Sequence, residues 1–343
     1  MSGTLEGIIM IDGKCQIIAE AGVNHNGSID VAKKLCEEAK KAGADVVKFQ
    51  TWITEKIITR EVRQAPYQIE NTGNNQSQFE MLKSLELSLD QFREIKEHCD
   101  TIGIQFASTA DEPESLDFLV GLGIPFIKIG SGDLSNIPFL RYCGAKGLPV
   151  ILSTGMGSLS DVERAVFALQ SGGARDITLL HCTTNYPCPF NKVNLRAMQT
   201  LGVAFGVNVG YSDHTRGIEV PIAAVSLGAT VIEKHFTLDR TMAGPDHIAS
   251  TEPAEFERMV KAIRNIELSM GDGLKKPTDT EQEISKVVLK RIVAGRFLPA
   301  GKTIEEKDLR IKRSSNGLPA SAWDLVLGTK ASRDYYEDEG ILF

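Results

Sequence analysis

Charged and hydroxyl side chains stand near the ends of several short, apolar stretches of this sequence. Glu20, Lys48 and Lys128 each lie among Ala, Val, Ile or Phe residues. Such a charge is stable only when it is paired or serves a ligand, because burying a lone ion costs several kcal/mol. Hydroxyl donors occupy comparable positions at Ser131, Ser153 and Ser212. Two lysines with several hydroxyl donors are typical of a site for a phosphate or carboxylate anion.

Two other uses of the lysines fit the same pattern. They could pair with Glu20 and close the end of the fold, which would be a structural role. Alternatively, one lysine could form a Schiff base with a carbonyl substrate. The residue types leave all three interpretations open.

Two histidines, His214 and His235, also end short β-type stretches. If those stretches are neighbouring strands, the two imidazoles converge and could bind a catalytic divalent metal ion. The competing interpretation is a pair of hydrogen-bonding core histidines. Asp246, in the segment GPDH, could add a metal ligand, bind a substrate hydroxyl or shape a turn.

The elements that carry these residues alternate between strand and helix. Eight β-rich stretches are separated by amphipathic helical segments, a pattern typical of a parallel sheet wound by crossover helices. Eight such strands favour a closed α/β barrel, the (β/α)8 or TIM-barrel fold, with chemistry at the carboxyl ends of the strands. The predicted strands are residues 16–21, 46–50, 104–108, 126–130, 150–154, 177–182, 207–212 and 231–236.

Turn and capping residues place the boundaries of other elements. Ser88 with Gln91, and Ser160 with Glu163, predict helix starts with capping boxes. The segments Gly130-Ser131-Gly132 and Gly155-Met156-Gly157 are either tight turns whose glycines need positive φ or loops that cradle a phosphate. The polar stretch 50–81 is either a loop over the active-site end or a surface insertion.

The chain of 343 residues is longer than the roughly 250 residues of a common barrel, so a second domain is expected. A helix that opens at Pro253 is followed by polar residues. We therefore predict a barrel over 1–271, a linker over 272–284 and a small β-rich domain over 285–343.

The formal net charge of −7 and a pI near 5.5 argue against nucleic acid as a partner. Residues 1–13 do not resemble a targeting signal, and no apolar run is long enough to span a membrane. These features predict a cytoplasmic protein without a membrane partner. The six cysteines show no paired spacing and are expected to be reduced.

Six motifs, in this order, make the chain resemble the sialic acid synthase family nearly from end to end. They are AEAGVNHNG at 19–27, VKFQT at 47–51, KIGSGD at 128–133, LSTGM at 152–156, YSDHT at 211–215 and EKHFT at 233–237. The C-terminal part, with Lys312-Arg313 and Asn316-Gly317, resembles the antifreeze-like (SAF) domain that ends this family's chains.

The resemblance implies an enzyme that condenses phosphoenolpyruvate with an N-acetylmannosamine-type amino sugar. The product would be N-acetylneuraminic acid or an analogue such as legionaminic acid. The implied metal is Mn²⁺, with Mg²⁺ or Co²⁺ as alternatives, bound by His214 and His235. Glu20 matches the catalytic carboxylate. A Schiff-base pyruvate aldolase and a non-catalytic sugar-binding barrel are the alternative functions.

The same resemblance assigns the substrate residues. Positions that bind phosphoenolpyruvate are matched by Lys48, Lys128, Ser131, Ser153 and Ser212, and Thr184 stands beside them. Thr109 is a further predicted substrate-binding residue. Positions that contact the sugar are matched by Gln50, Asp133, Tyr186 and Asp246. Arg313 matches an arginine that reaches the partner subunit's site, which implies a domain-swapped homodimer. The chain departs from many members at Thr184, where asparagine is common, and from some at Asp133, where glutamate occurs.

Overall fold

A computed structural model describes residues 14–343 apart from 66, 67, 70, 72, 74 and 75. Eight parallel strands close into a barrel in their order along the chain, which confirms the predicted α/β barrel. Each observed strand overlaps a predicted one, and the ends differ by two residues or fewer. The strands are β1 Gln16–Gly22, β2 Val46–Thr51, β3 Gln105–Ala110, β4 Ile127–Ile129, β5 Val150–Ser153, β6 Ile177–Cys182, β7 Asn208–Asp213 and β8 Val231–His235.

The register of the barrel brings the candidate residues to one level. Glu20 on β1 is aligned with Lys48 on β2 and with His235 on β8. Further round the barrel, Thr109 is aligned with Lys128. These polar side chains therefore form one layer at the carboxyl end of the strands.

A layer of apolar side chains lies one step below the polar layer. Ile18, Val46 and Ala107 stand two positions before Glu20, Lys48 and Thr109, so they share their face, because side chains alternate along a strand. These buried residues form one cluster: Ile18, Val46, Ala107, Phe126, Ile151, Leu180 and Val231. The barrel is thus packed beneath its polar end, and a ligand can enter only above the cluster.

Helices connect the strands and cover the outside of the barrel. Those described within the first 271 residues are α1 Ile29–Lys41, α2 Thr54–Ile57, α3 Gln78–Leu85, α4 Leu89–Ile102, α5 Pro113–Gly121, α6 Ile137–Gly144, α7 Leu159–Gly172, α8 Arg196–Phe205, α9 Glu219–Ser226 and α10 Pro253–Ser269. None of the helices in the described part of the chain is both long and apolar enough to cross a membrane.

One of the two predicted capping boxes is correct. Ser88 and Gln91 form the box that starts α4. The prediction for Ser160 and Glu163 is wrong, because α7 begins two residues earlier and its box joins Ser158 with Asp161. Asp161 is the third helical residue and reaches back to the Ser158 amide, so Ser160 falls inside the first turn.

The chain divides into two compact units between Gly271 and Asp272. The second unit contains α11 Asp279–Val288, β9 Lys290–Ala294, β10 Leu309–Arg313 and α12 Trp323–Val326. Strands β9 and β10 pair in antiparallel fashion over a separate apolar cluster that includes Ile292, Leu309 and Tyr335. Helix α11 begins inside the segment 272–284 that we predicted as a linker. Residues 1–13, where we predicted no targeting signal, lie outside the described residues.

Candidate active site

A cavity of about 190 Å³ opens at the carboxyl end of the strands. It brings together twelve of the residues proposed from the sequence: Glu20, Lys48, Gln50, Thr109, Lys128, Ser131, Ser153, Thr184, Tyr186, Ser212, His214 and His235. A larger cavity of about 600 Å³ lies between the starts of α7 and α8. The charged side chain in this larger cavity, Arg196, is exposed. The smaller cavity contains several buried charged side chains, and catalytic chemistry is expected where such groups are concentrated. We call the smaller one the inner cavity.

Lys48 is the centre of a buried ionic network. Its Nζ lies 2.6 Å from Glu20 Oε2 and donates a hydrogen bond of 3.0 Å to Thr109. Burial lowers the pKa of Lys48, but Glu20 and Glu233 outweigh this effect, so the pKa is raised and the ammonium stays charged. The pairing of Lys48 with Glu20 that we considered from the sequence is therefore present. Both partners nevertheless line the cavity and remain available to a ligand.

Lys128 occupies the other side of the inner cavity. It donates a hydrogen bond of 2.9 Å to Ser153, and its Nζ lies 3.4 Å from Glu233. Burial lowers the pKa of Lys128 against the opposing effect of Glu233. An anion entering the cavity would supply the negative charge that favours the protonated lysine.

Glu233 is a site residue that the sequence analysis did not assign. Its carboxylate lies between the two lysines, 3.7 Å from Lys48, and accepts a hydrogen bond of 3.1 Å from Ser212. Burial raises its pKa, but Lys128 and Lys48 outweigh that effect and lower the pKa to about 2. Glu233 stands two residues before His235 on β8, so the two side chains share one face of the strand. The spacing could identify Glu233 only once His235 was known to face inward.

Glu20 differs from Glu233 in its proton affinity. Burial raises the pKa of Glu20, although Lys48 opposes the shift. Gln50 also donates a hydrogen bond of 3.0 Å to Glu20 Oε1. The cavity thus contains one carboxylate that holds its negative charge firmly, Glu233, and one that accepts a proton more readily, Glu20.

His214 and His235 converge, as we expected from neighbouring strands, with ring centroids 5.4 Å apart. Burial lowers the pKa of both rings, which favours the neutral form that binds metals. His214 Nδ1 lies 2.7 Å from the Thr183 carbonyl, an arrangement that leaves Nε2 as the free donor atom. His235 Nδ1 is buried without a hydrogen-bond partner among the described residues.

These donors fit a metal site with two protein ligands. The described residues contain no group of three His, Cys, Asp or Glu side chains placed to hold an ion. The remaining ligands would have to be water or substrate, which is the arrangement of a catalytic rather than a structural site. Tyr186 packs against both rings, with centroid distances of 4.2 Å to His214 and 5.6 Å to His235.

A second cavity of about 210 Å³, which we call the outer cavity, shares Gln50, Tyr186 and His235 with the inner one. Asp246 lines it, and burial raises the pKa of this carboxyl to about 7. The rest of its wall is largely apolar and comes from Val23, Met81, Leu82, Leu85 and Pro245. Gln68 and Met81 show that the segment 50–81 contributes directly to this cavity.

Two of the proposed residues do not line either cavity. The Asp133 carboxylate accepts a hydrogen bond of 2.9 Å from Asn136. Arg313 is the last residue of β10 in the second unit, and its side chain is exposed. The structure also adds Asp111, Met156 and Cys182 to the lining of the inner cavity.

The interpretation of the two glycine segments as turns that need positive φ is wrong. None of their four glycines has positive φ, whereas Met156 has φ 64°. A side chain at Gly155 would place its Cβ 2.4 Å from Thr184 Oγ1 and 2.8 Å from Ser131 Oγ. Gly155 is therefore required by close approach, and its amide donates a hydrogen bond of 2.9 Å to Ser131.

Comparisons with known proteins show which family the chain matches. The NeuB family model matches residues 35–275, and the SAF domain model matches residues 291–343. The N,N'-diacetyllegionaminic acid synthase of Campylobacter jejuni is 48% identical over 95% of this chain and 98% of its own. The synthase of the same name from Legionella pneumophila is 44% identical over 93% of this chain and 90% of its own.

A solved structure shows the same likeness. The N-acetylneuraminic acid synthetase of Leptospira borgpetersenii, crystallised with citrate, superposes with a TM-score of 0.70 at 36% identity. The match covers 79% of this chain and 90% of that one. The predicted barrel with a C-terminal SAF domain is thereby confirmed.

Proposed function

Because the chain belongs to the NeuB family, we propose that it condenses phosphoenolpyruvate with the aldehyde of an N-acetylmannosamine-type sugar. The products would be phosphate and a nonulosonic acid, either N-acetylneuraminic acid or an analogue such as legionaminic acid. The observation that carries this proposal is a pair of adjoining cavities, one built for an anion and one mainly apolar, with Gln50, Tyr186 and His235 between them.

Phosphoenolpyruvate would occupy the inner cavity. Lys48 and Lys128 would neutralise its phosphate and carboxylate, and hydroxyl donors surround them. Those donors are Thr109, Ser131, Ser153, Thr184 and Ser212. Since both lysines already contact carboxylates, the substrate would exchange one set of ionic contacts for another and would not need to recruit mobile side chains.

The sugar would bind in the outer cavity, with its aldehyde directed at the inner one. Gln50 and Asp246 offer polar groups to its hydroxyls, and Tyr186 offers a ring face. Carbon 3 of phosphoenolpyruvate would then attack the aldehyde carbon, and water would add at carbon 2 as cationic character develops there. Holding the two reactants in adjoining cavities contributes to the rate by orientation.

Glu20 would act as the general base that accepts a proton from the attacking water. Its raised pKa makes it a better base than an ordinary carboxylate, and Lys48 and Gln50 fix its orientation. Water gives one proton to Glu20 as its oxygen bonds to carbon 2, and this proton balances the one that the sugar oxygen gains as it becomes a hydroxyl. The bond between carbon 2 and the phosphate oxygen then breaks and its electron pair leaves with phosphate. The hydroxyl on carbon 2 gives its remaining proton to the departing phosphate, and the keto group forms.

His214 and His235 would hold a divalent ion, with Mn²⁺ as the proposed metal and Mg²⁺ or Co²⁺ as alternatives. When bound, this Lewis acid would polarise the aldehyde carbonyl.

We expect His214→Ala to weaken Mn²⁺ binding at least tenfold, measured by electron paramagnetic resonance, and to reduce turnover in parallel. The control is His98→Ala, which changes a histidine on the outer helix α4. Full activity after exhaustive chelation would contradict the assignment.

The test of the proposed function is phosphate release in the presence of phosphoenolpyruvate and a panel of sugars. The panel contains N-acetylmannosamine, its 6-phosphate, mannose and the 2,4-diacetamido-6-deoxy sugar, with products identified by mass spectrometry. Release that requires both substrates supports the synthase. Trapping of a pyruvate adduct on Lys48 or Lys128 by borohydride would instead support the Schiff-base aldolase, and binding without release would support a sugar-binding barrel.

The family resemblance also underlies the proposed quaternary structure and location. We propose a cytoplasmic homodimer in which Arg313 serves the sugar site of the partner subunit. Its planar guanidinium suits the oxygens of a polar sugar.

A further inference from the structure

Asp111 is a carboxylate in the inner cavity that the proposed reaction does not use. It follows β3 directly and lines the cavity together with Glu20, Lys48 and Thr109. Its side chain makes no hydrogen bond or ion pair with the described residues, in contrast to the neighbouring carboxylates. Asp111 is half-buried, so water can hydrate its carboxylate in the free protein, but an anionic substrate in the inner cavity would bring like charge against it.

The charged groups around Asp111 are all occupied elsewhere. Glu20 is held by Lys48 and Gln50, and Asp133 accepts a hydrogen bond from Asn136. Glu112 turns away to cap α5, where its carboxylate accepts hydrogen bonds from the amides of Glu114 and Ser115. Lys48, the cation that influences Asp111, contacts Glu20 and Thr109 instead.

The protonation of Asp111 follows from these surroundings. Burial raises the pKa of its carboxyl to about 7, and Asp133 adds to the shift against the opposing effect of Lys48. The usual pKa of an aspartate is about 3.9. In the free protein Asp111 is therefore mostly protonated below about pH 7 and mostly ionised above it.

An anion that enters the inner cavity must change the protonation equilibrium of Asp111. A phosphate or carboxylate beside ionised Asp111 would be repelled, whereas the protonated carboxyl would donate a hydrogen bond to it. We propose that Asp111 takes up a proton when phosphoenolpyruvate binds and donates a hydrogen bond to this anionic substrate. Binding of phosphoenolpyruvate is then coupled to the uptake of one proton by the protein.

The proton has a route that does not cross the substrate. Asp111 also lines a cavity of about 410 Å³ on the outside of the barrel, formed with residues of α2, α5 and α6 such as Lys56 and Tyr142. Lys56 is paired there with Glu114, so it does not neutralise Asp111. Solvent in this outside cavity can exchange protons with the carboxyl while phosphoenolpyruvate fills the inner one.

This inference rests on the proposed function and is tested by calorimetry with phosphoenolpyruvate alone. At about pH 8, the binding enthalpy measured in two buffers of different ionisation enthalpy should indicate uptake of close to one proton per site. Asp111→Asn should lose this uptake because the amide cannot titrate. It should also bind up to about tenfold more tightly than the parent at about pH 8, and equally well at about pH 6, because it needs no protonation.

Asp117→Asn is the matched control, since it removes an exposed carboxylate that pairs with Lys146 on the outer surface. It should keep the proton uptake of the parent. Asp111→Ala provides a second variant, which should also lose the uptake. If Asp111→Asn took up as many protons as the parent, another group would be responsible and the inference would be wrong. If the parent protein did not bind phosphoenolpyruvate at all, the proposed function would fail instead.

Discussion

At the scale of single residues, the inner cavity contains buried charged side chains whose carboxylates differ in proton affinity. Two buried lysines face two buried glutamates, and the two carboxylates have opposite pKa shifts. Glu233 is stabilised as an anion by Lys48 and Lys128 together. Glu20 shares one lysine and is the more basic of the two, which suits it to proton transfer.

We expect Glu20→Gln to keep phosphoenolpyruvate binding and to lose most of the turnover, on the order of a hundredfold or more. The amide preserves the shape of the side chain and the contact with Gln50 but cannot accept the proton of water. The measurements are the phosphoenolpyruvate dissociation constant and kcat. Lys128→Met is the complementary variant and should raise the KM for phosphoenolpyruvate before it changes kcat. A kcat for Glu20→Gln within a few-fold of the parent would leave Glu20 as a structural carboxylate.

Most of the inner cavity was predictable from residue types at strand ends, and two carboxylates were not. Glu233 was missed because its neighbour in the motif, Lys234, is also charged, and a sequence does not state which of the two faces inward. The structure places Lys234 in a buried pair with Asp213, outside the cavity lining. Asp111 was missed because acidic residues before a helix are typical of caps, a role that Glu112 performs.

At the scale of elements, helices α6 and α7 pack closely against each other at their C-terminal ends. Gly144 and Gly172 allow the two backbones to approach where any side chain would collide. A Cβ on Gly172 would lie 2.3 Å from the Arg141 carbonyl oxygen, and one on Gly144 would lie 2.3 Å from that of Leu169. The contacts involve backbone atoms, which cannot move aside as a flexible side chain can.

We expect Gly172→Ala to lower the stability of the barrel by about 1–3 kcal/mol, because the helices must separate to admit the methyl group. The measurement is the midpoint of thermal unfolding. Gly121→Ala is the matched control at the end of α5, where no atom outside the local chain would lie within 4 Å of the added methyl group. That variant should be neutral or slightly more stable, because alanine restricts the unfolded chain. Equal midpoints for the two variants would contradict the packing argument.

Strand positions were predicted closely because apolar β-rich runs bounded by polar residues have few alternatives. The positive-φ explanation of the glycine segments was wrong because a sequence does not distinguish a glycine needed for positive φ from one needed for space. Only the position of Thr184 opposite Gly155 reveals the second reason. The outer cavity could not be predicted in the same way, because α3 and the loop after β8, which both line it, are distant in sequence.

At the scale of the whole molecule, the barrel and the SAF unit have separate apolar clusters. Each unit can therefore be altered without removing the core of the other. This separation makes a subunit-mixing experiment informative, because a change on the surface of the SAF unit leaves the barrel intact.

Glu20→Ala and Arg313→Ala should each be nearly inactive as homodimers. If Arg313 serves the partner subunit, a mixed dimer has one site with both changes and one with neither. Random assortment makes roughly half of the dimers mixed, so about a quarter of the parental activity should return after co-refolding. The control is Lys307→Ala, which should be active alone. The Lys307 side chain is exposed, and its only ion pair among the described residues is with Glu305. Failure of the mixture to regain activity would place Arg313 in its own subunit's site.

The cancellation of charge in the inner cavity has a kinetic consequence. Glu20 and Glu233 offset Lys48 and Lys128, so the free site attracts little from a distance, while the chain as a whole carries a net charge of −7. A multiply charged anion is therefore repelled on approach and attracted only after it has displaced the internal contacts. Dissolved salt screens this repulsion and reduces its range to about 8 Å at physiological ionic strength. Capture of such an anion should quicken as salt is added, the reverse of electrostatic steering.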